Sequence, residues 1–166
     1  KIPKIDVYVN TTALIEFSLF EMSTLNFAKK IFNTNFFSQI QIMQMILKKM
    51  KKLNKGSIIN LSSSASLEKN IGTSVYASSK AALETLSQVI SREVGKFNVR
   101  VNIVQPGLVD TEAMRKAHPE KFIDDQLQKY SLKKIANSKD IANLILFLAS
   151  DNSSHITGQV IKINGG

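Results

Sequence analysis

Tyr76 and Lys80 stand four residues apart, and Ser63 lies thirteen residues before the tyrosine. On a helix that spacing puts the two side chains on one face, where an ammonium a few ångströms from a phenol favours its ionised form. A phenol whose ordinary pKa is near 10 then becomes a usable acid or base, and a serine beside it can hydrogen-bond the same substrate oxygen. The chemistry implied is proton exchange with an oxygen, and it needs no covalent intermediate. Spacing alone does not single out this pair, because Tyr130 and Lys134 repeat it. Context does: only Tyr76 follows a serine-ended apolar run and is joined to its lysine by the small residues Ala77, Ser78 and Ser79. Tyr130, in a charged stretch, is expected to be a half-exposed packing residue.

The elements that must position these groups are legible from periodicity. Ile5 to Asn10 reads as a strand entering a polar loop, Ser57 to Leu61 as an internal strand passing into Ser62-Ser63-Ser64, and Val99 to Val104 as a third strand stopped by Pro106-Gly107. Between them, apolar residues recur every three or four positions from Ala28 to Leu47 and from Ala81 to Ile90, which predicts long helices. Ser23 or Thr24 is placed to cap the first, Lys48 to Lys52 suit its C-terminal dipole, and Gly56 is read as ending its turn. Phe37, Ile42, Met45 and Ile46 widen that helix's stripe beyond one face, predicting burial on two sides, one of them against a partner subunit. Thr111 to Lys134 is charged and interrupted by Pro119, suiting a cover over a site. Ser138 is read as capping a helix over Lys139 to Ala149, and Gln159 to Ile163 is the last strand. Strands alternating with helices imply right-handed crossovers and a parallel sheet, with Asn10, Ser63 and Pro106-Gly107 on the rim where such sheets bind ligands.

Composition bounds the rest. The 166 residues carry a formal net charge of +9, yet most of it is lysine spread in pairs such as Lys29-Lys30 and Lys133-Lys134, without the arginine and aromatic clustering of a nucleic-acid surface. No nucleic-acid partner is expected. There is no cysteine, which excludes disulfides and thiolate chemistry and suits a reducing compartment. His118 and His155 are far apart and are read as solvated surface imidazoles, so no metal is expected. Lys1-Ile2-Pro3-Lys4 lacks the features of a leader, and no run is long and apolar enough for a bilayer, so a cytoplasmic protein is expected. A first residue other than methionine suggests a chain that is cut, processed or incompletely recorded.

Four blocks taken together carry a resemblance. Ile58-Ile59-Asn60-Leu61-Ser62-Ser63, Tyr76-Ala77-Ser78-Ser79-Lys80-Ala81-Ala82, Arg100 through Thr111, and Ile156-Thr157-Gly158-Gln159 resemble the short-chain dehydrogenase/reductase family in order and spacing, over nearly the whole chain. Asp6 to Ala13 looks like that family's fourth strand with the Asn-Asn-Ala-Gly motif after it. The resemblance implies an α/β Rossmann-like doubly wound parallel sheet. This chain, a single partial domain over 1–166, would be its carboxyl-terminal part, four strands with flanking helices, without the first three strand-helix units. It further implies an NAD- or NADP-dependent oxidoreductase, like the 3-oxoacyl-acyl-carrier-protein reductases, interconverting a carbonyl and a secondary alcohol by hydride transfer. Tyr76 would be the acid/base, Ser63 would orient the substrate oxygen, Lys80 would lower the Tyr76 pKa and hold the nicotinamide ribose, and Asn35 would support a proton-relaying water. Asn10, Pro106, Gly107, Val109 and Thr111, with Tyr76 and Lys80, would border the cofactor, and a homo-oligomer would assemble through the long helices.

Two departures bear on function. The Asn-Asn-Ala-Gly motif reads Asn10-Thr11-Thr12-Ala13, which places a Cβ at Ala13, and no glycine-rich strand-to-helix turn for the cofactor phosphates occurs in the sequence. The alternative expectation is therefore a catalytically silent fragment or an assembly subunit. An apolar first strand without its neighbour would also be an open edge inviting association.

Overall fold

Four short runs rich in β-branched residues form one parallel sheet in the computed structural model, which describes residues 4–166 apart from the side chains of Ala113 and Ala117. Lys1-Ile2-Pro3, the start read above as leader-free, lies outside the described residues. The strands are β1 (Val7–Asn10), β2 (Gly56–Leu61), β3 (Val99–Pro106) and β4 (Val160–Ile163), and they lie side by side in chain order. Asn10 pairs with Asn60, Ile59 with Asn102, and Pro106 with Ile163, so the carboxyl ends share one rim. β3 runs two residues beyond the expected Val104. Pro106 closes it by giving its carbonyl to Ser64 N–H at 2.8 Å, a bond that needs no proline N–H.

The helices follow from side-chain alternation along the strands. On one face Ile58, Val99 and Val101 pack against Met43, Ile46 and Met50 of α2 (Ser38–Leu53) and Leu83 and Val94 of α4 (Ser74–Val94). On the other, Ile59 and Val104 pack against Ile141 and Leu148 of α7 (Ser138–Ala149). The strand order keeps advancing the same way while this last connection crosses the opposite face. Its hand is therefore opposite to that of the first two, contrary to the uniform right-handed crossovers expected.

α1 (Leu25–Phe32) is capped by Thr24, whose hydroxyl accepts from Phe27 N–H, and passes through a π-turn at Asn33–Phe37 into α2. α2 ends at Asn54, which takes the left-handed conformation (φ 49°); Gly56 is the first residue of β2 rather than the turn, and a Cβ there would run into Met50. Asn137, not Ser138, caps α7, in a reciprocal capping box with Asp140. Ile46 is buried and Ile42 half-buried against the sheet side, whereas Phe37 and Met45 are exposed. Among the described residues no helix is long and apolar enough to cross a membrane.

Candidate active site

The carboxyl ends of β2 and β3 open into a cavity of about 510 Å³. Ser63, Tyr76, Lys80, Pro106, Gly107, Val109 and Thr111 all line it. Tyr76 and Lys80 sit on the first turns of α4, and both are buried, at 6% and 1% exposure. Ser63 follows β2, where its hydroxyl accepts from Ala65 N–H at 3.2 Å, and it shares the cavity wall with Tyr76. Lys80 Nζ turns to the strand, donating to the Leu61 carbonyl at 2.9 Å.

The electrostatics reverse one expectation. The Tyr76 phenol is raised rather than lowered: burial lifts its pKa, and the Ser63 side chain is the effect that opposes the rise. Burial also lowers Lys80 to about 8, with the Glu84 carboxylate working against that shift. Burial thus disfavours the charged form of each group, and the lysine's own hydrogen bond is to a backbone carbonyl.

Asn35 and Asn10 belong to the scaffold around the cavity rather than to its wall. Asn35 sits fully buried in the π-turn; its Oδ1 accepts from Leu14 N–H at 2.7 Å, and its Nδ2 donates to the Leu14 carbonyl and to Ser79 Oγ, each at 3.1 Å. Ser79 in turn donates to the Tyr76 carbonyl at 2.7 Å. The Asn35 side chain thus ties the π-turn to the Leu14 loop and to Ser79. Asn10 closes β1 with Oδ1 accepting from Thr12 N–H, while its Nδ2 is buried without a partner among the described residues. Thr11 and Ala13 reach the cavity instead.

The segment after β3 leaves and returns over the mouth. Val109 bridges to Ala136, and between them lie α5 (Glu112–Ala117) and α6 (Glu120–Lys129), separated by His118-Pro119. Thr111 caps α5 by accepting from Met114 N–H. Tyr130 is buried rather than half-exposed, and its hydroxyl accepts from Leu108 N–H at 3.0 Å. It packs so closely on Gly107 that a Cβ there would lie 2.7 Å from the hydroxyl. His118 is not a solvated surface imidazole: it lines the cavity, stacked on Phe122 (4.7 Å between ring centroids) and tilted against Phe17 (5.3 Å), which meets Tyr76 edge-on at 5.7 Å. Its Nδ1 donates to the Met114 carbonyl at 3.1 Å. No periodic signal marks Phe17 or His118 in the sequence. Glu84 had one, its four-residue spacing from Lys80.

Comparisons with known proteins bear on the family and the fold. A family model described as enoyl-(acyl carrier protein) reductase matches residues 1–166. A 3-oxoacyl-(acyl-carrier-protein) reductase from Chlamydia trachomatis is 36% identical over 98% of this chain and 65% of its own length; one from Thermotoga maritima is 36% identical over 100% and 67%. A 7α-hydroxysteroid dehydrogenase from Escherichia coli K12 is 32% identical over 100% of this chain and 65% of its own. A solved structure described as a short chain dehydrogenase/reductase family protein superposes with a TM-score of 0.91 at 30% identity, covering 99% of this chain and 68% of that one. The fold is an α/β Rossmann-like parallel sheet with flanking helices. The chain belongs to the short-chain dehydrogenase/reductase family and spans about two thirds of the length of the curated relatives it matches.

Proposed function

We propose that residues 1–166 form the catalytic, nicotinamide-side part of an NAD- or NADP-dependent oxidoreductase that interconverts a carbonyl and a secondary alcohol, with Tyr76 as acid/base. The observation that carries this reading is the convergence of Ser63, Tyr76 and Lys80 on one wall of the cavity, with the phenol and the ammonium both buried. The named relatives suit it, one kind being a reductase of a 3-oxoacyl group and the other a dehydrogenase of a hydroxysteroid.

The residues fit a nicotinamide riboside. An ammonium has three N–H donors, and among the described residues Lys80 meets one acceptor, the Leu61 carbonyl; two donors are left for ribose hydroxyls. When bound, the cofactor supplies or accepts the hydride at carbon. Tyr76 gives its proton to the substrate oxygen in reduction and takes one from it in oxidation, while Ser63 donates to that oxygen and holds it beside the phenol. Pro106, Gly107, Val109 and Thr111 border the cofactor side of the cavity, with Asn10 behind that wall at the end of β1. Ile15, Phe17, Met114, Phe122 and Ile145 give the rest of the wall an apolar character, suited to a carbonyl on a largely apolar body. Asn35 acts through the Leu14 loop and Ser79. Exposed Phe37 at the end of the π-turn, Met45 on α2 and Val89 on α4 suit a second copy of the chain as partner, and the cysteine-free composition suits the cytoplasm.

The test is carbonyl reduction by the complete protein with NADH and NADPH, using a 3-oxoacyl thioester and a ketosteroid, with a Tyr76→Phe control. Equal rates for wild type and variant would refute the assignment. A second reading, that these 166 residues are catalytically silent by themselves, draws on the lack of a glycine-rich phosphate turn in the sequence. Saturable binding of either dinucleotide to this chain in calorimetric titration would refute that one.

A further inference from the structure

Behind the cavity wall a single carboxylate oxygen gathers three donors. Glu84 Oε1 accepts from the Ser62 hydroxyl, from the Ser66 hydroxyl at 2.8 Å and from Gln105 Nε2 at 2.8 Å. These donors come from three places: Ser62 just past β2, Gln105 near the end of β3, and Ser66 in the single turn α3 (Ala65–Glu68) that follows the Ser63 loop. Ser62 and Gln105 are buried, at 6% and 1% exposure. Gln105 Nε2 also donates to Ser66 Oγ at 2.9 Å, and Ser66 Oγ lies 2.9 Å from the Ser63 carbonyl. Ser62 itself lines the cavity, Ser66 and Gln105 each adjoin a lining residue, Ala65 and Pro106, and Glu84 ties all three to the helix that carries Tyr76 and Lys80.

A carboxylate is the group suited to this place. Convergent O–H and N–H donors satisfy an acceptor-only oxygen, and one helical turn from an ammonium the same negative charge favours the lysine's protonated form. We propose that Glu84 is the positioning residue of the site: it locks the carboxyl ends of β2 and β3 against α4 and supplies the negative charge that keeps Lys80 a cation. The inference rests on the proposed function only in treating the Lys80 charge as useful. The lock and the charge are properties of the chain itself. Burial drives Lys80 toward its neutral form and Glu84 opposes it, which is the direction required. Of the other titratable groups around the cavity, Tyr76 on α4, Glu68 on α3 and His118 beyond α5 contribute no charge effect to that balance.

The experiment separates lock from charge in the complete protein. In Glu84→Gln the side-chain carbonyl oxygen still accepts from Ser62, Ser66 and Gln105, but the charge is gone. Glu84→Asp keeps the charge and shortens the reach. Nitrogen-15 NMR titration of Lys80 Nζ should show its midpoint moving to lower pH in Glu84→Gln, by roughly 0.5 pH unit for a partly solvated pair. The melting temperature should stay near that of the wild type. Glu84→Asp should hold the midpoint and lower the melting temperature. A Glu84→Gln midpoint that superimposes on the wild type would overturn the proposal, as would a Glu84→Asp midpoint as low as that of Glu84→Gln. The NMR readout does not need activity: a shifted midpoint in a protein whose Tyr76→Phe variant reduces carbonyls normally would sink the catalytic reading and leave this one standing.

Discussion

Replacing Lys80 by methionine tests whether its burial, more than its neighbours, sets its charge. The folded lysine is held at about 8 against an ordinary 10.5. The sign follows from proton counts. Below pH 8 both states hold the proton, and the folded state carries the full penalty of a buried ammonium. Between 8 and 10.5 the folded state has released its proton while the unfolded chain keeps it, so stability rises with pH. Taken at 1.36 kcal/mol per pH unit, the penalty is about 3 kcal/mol at pH 7 and falls to below about 1 kcal/mol by pH 10. Lys80→Met fills similar volume and has no such penalty, though it leaves the Leu61 carbonyl without its donor. The assay is urea unfolding of both proteins from pH 7 to 10. The difference in unfolding free energy, wild type minus variant, should grow in the wild type's favour by about 2.5 kcal/mol across that range. The exposed lysines cancel in the difference. Tyr8, Tyr76 and Tyr130, all raised by burial, lose stability for both proteins alike, and only as pH climbs through and beyond 10. Parallel pH curves for the two proteins would refute the reasoning.

Two further substitutions bear on the scaffold. Asn35→Ala removes three hydrogen bonds, two of them holding the Leu14 backbone, and should cost about 2–4 kcal/mol in unfolding free energy, with faster amide exchange at Leu14 as the local sign; a loss below about 1 kcal/mol would mean water replaces the side chain. Tyr130→Phe leaves Leu108 N–H without its partner and should cost about 1 kcal/mol, loosening the turn at Gly107 so that KM rises more than kcat falls; unchanged kinetics would show that this turn does not shape the cavity.

Strand and helix identity was legible because it rests on periodicity, and the clustering of Ser63, Tyr76 and Lys80 was legible because one strand end and one helix start fix all three. What stayed hidden came from contacts distant along the chain. Tyr130 reads as a surface residue until Gly107 and Leu108 are folded against it. His118 reads as solvated because nothing nearby in sequence announces that Phe17, a hundred residues earlier, will cover it. The π-turn around Asn35 is likewise invisible to periodicity, since it is made by the Leu14 loop and Ser79 binding that side chain. The direction of the Tyr76 shift was misjudged for a related reason: spacing shows that an ammonium is near, but not how dry the site is or that the ammonium points at Leu61.

That last point changes how work is divided in the site. If Lys80 acted on the phenol by charge, its burial would weaken the very effect asked of it, because a lysine near 8 is closer to neutrality than a solvated one. Ser63 carries no charge to lose, and its side chain is the group that favours the phenolate in this dry setting. A phenol raised by burial keeps its proton at neutral pH, which is the state needed to donate to a carbonyl oxygen. In the proposed reaction Ser63 would matter most where that proton departs, steadying the phenolate left behind. Lys80, anchored to Leu61 and kept charged by Glu84, is free to spend its two remaining donors on whatever lies across the cavity. The helix spacing that first drew attention to Tyr76 and Lys80 therefore brings together two groups with separate surroundings, a phenol sharing the cavity wall with Ser63 and an ammonium held on the Leu61 carbonyl.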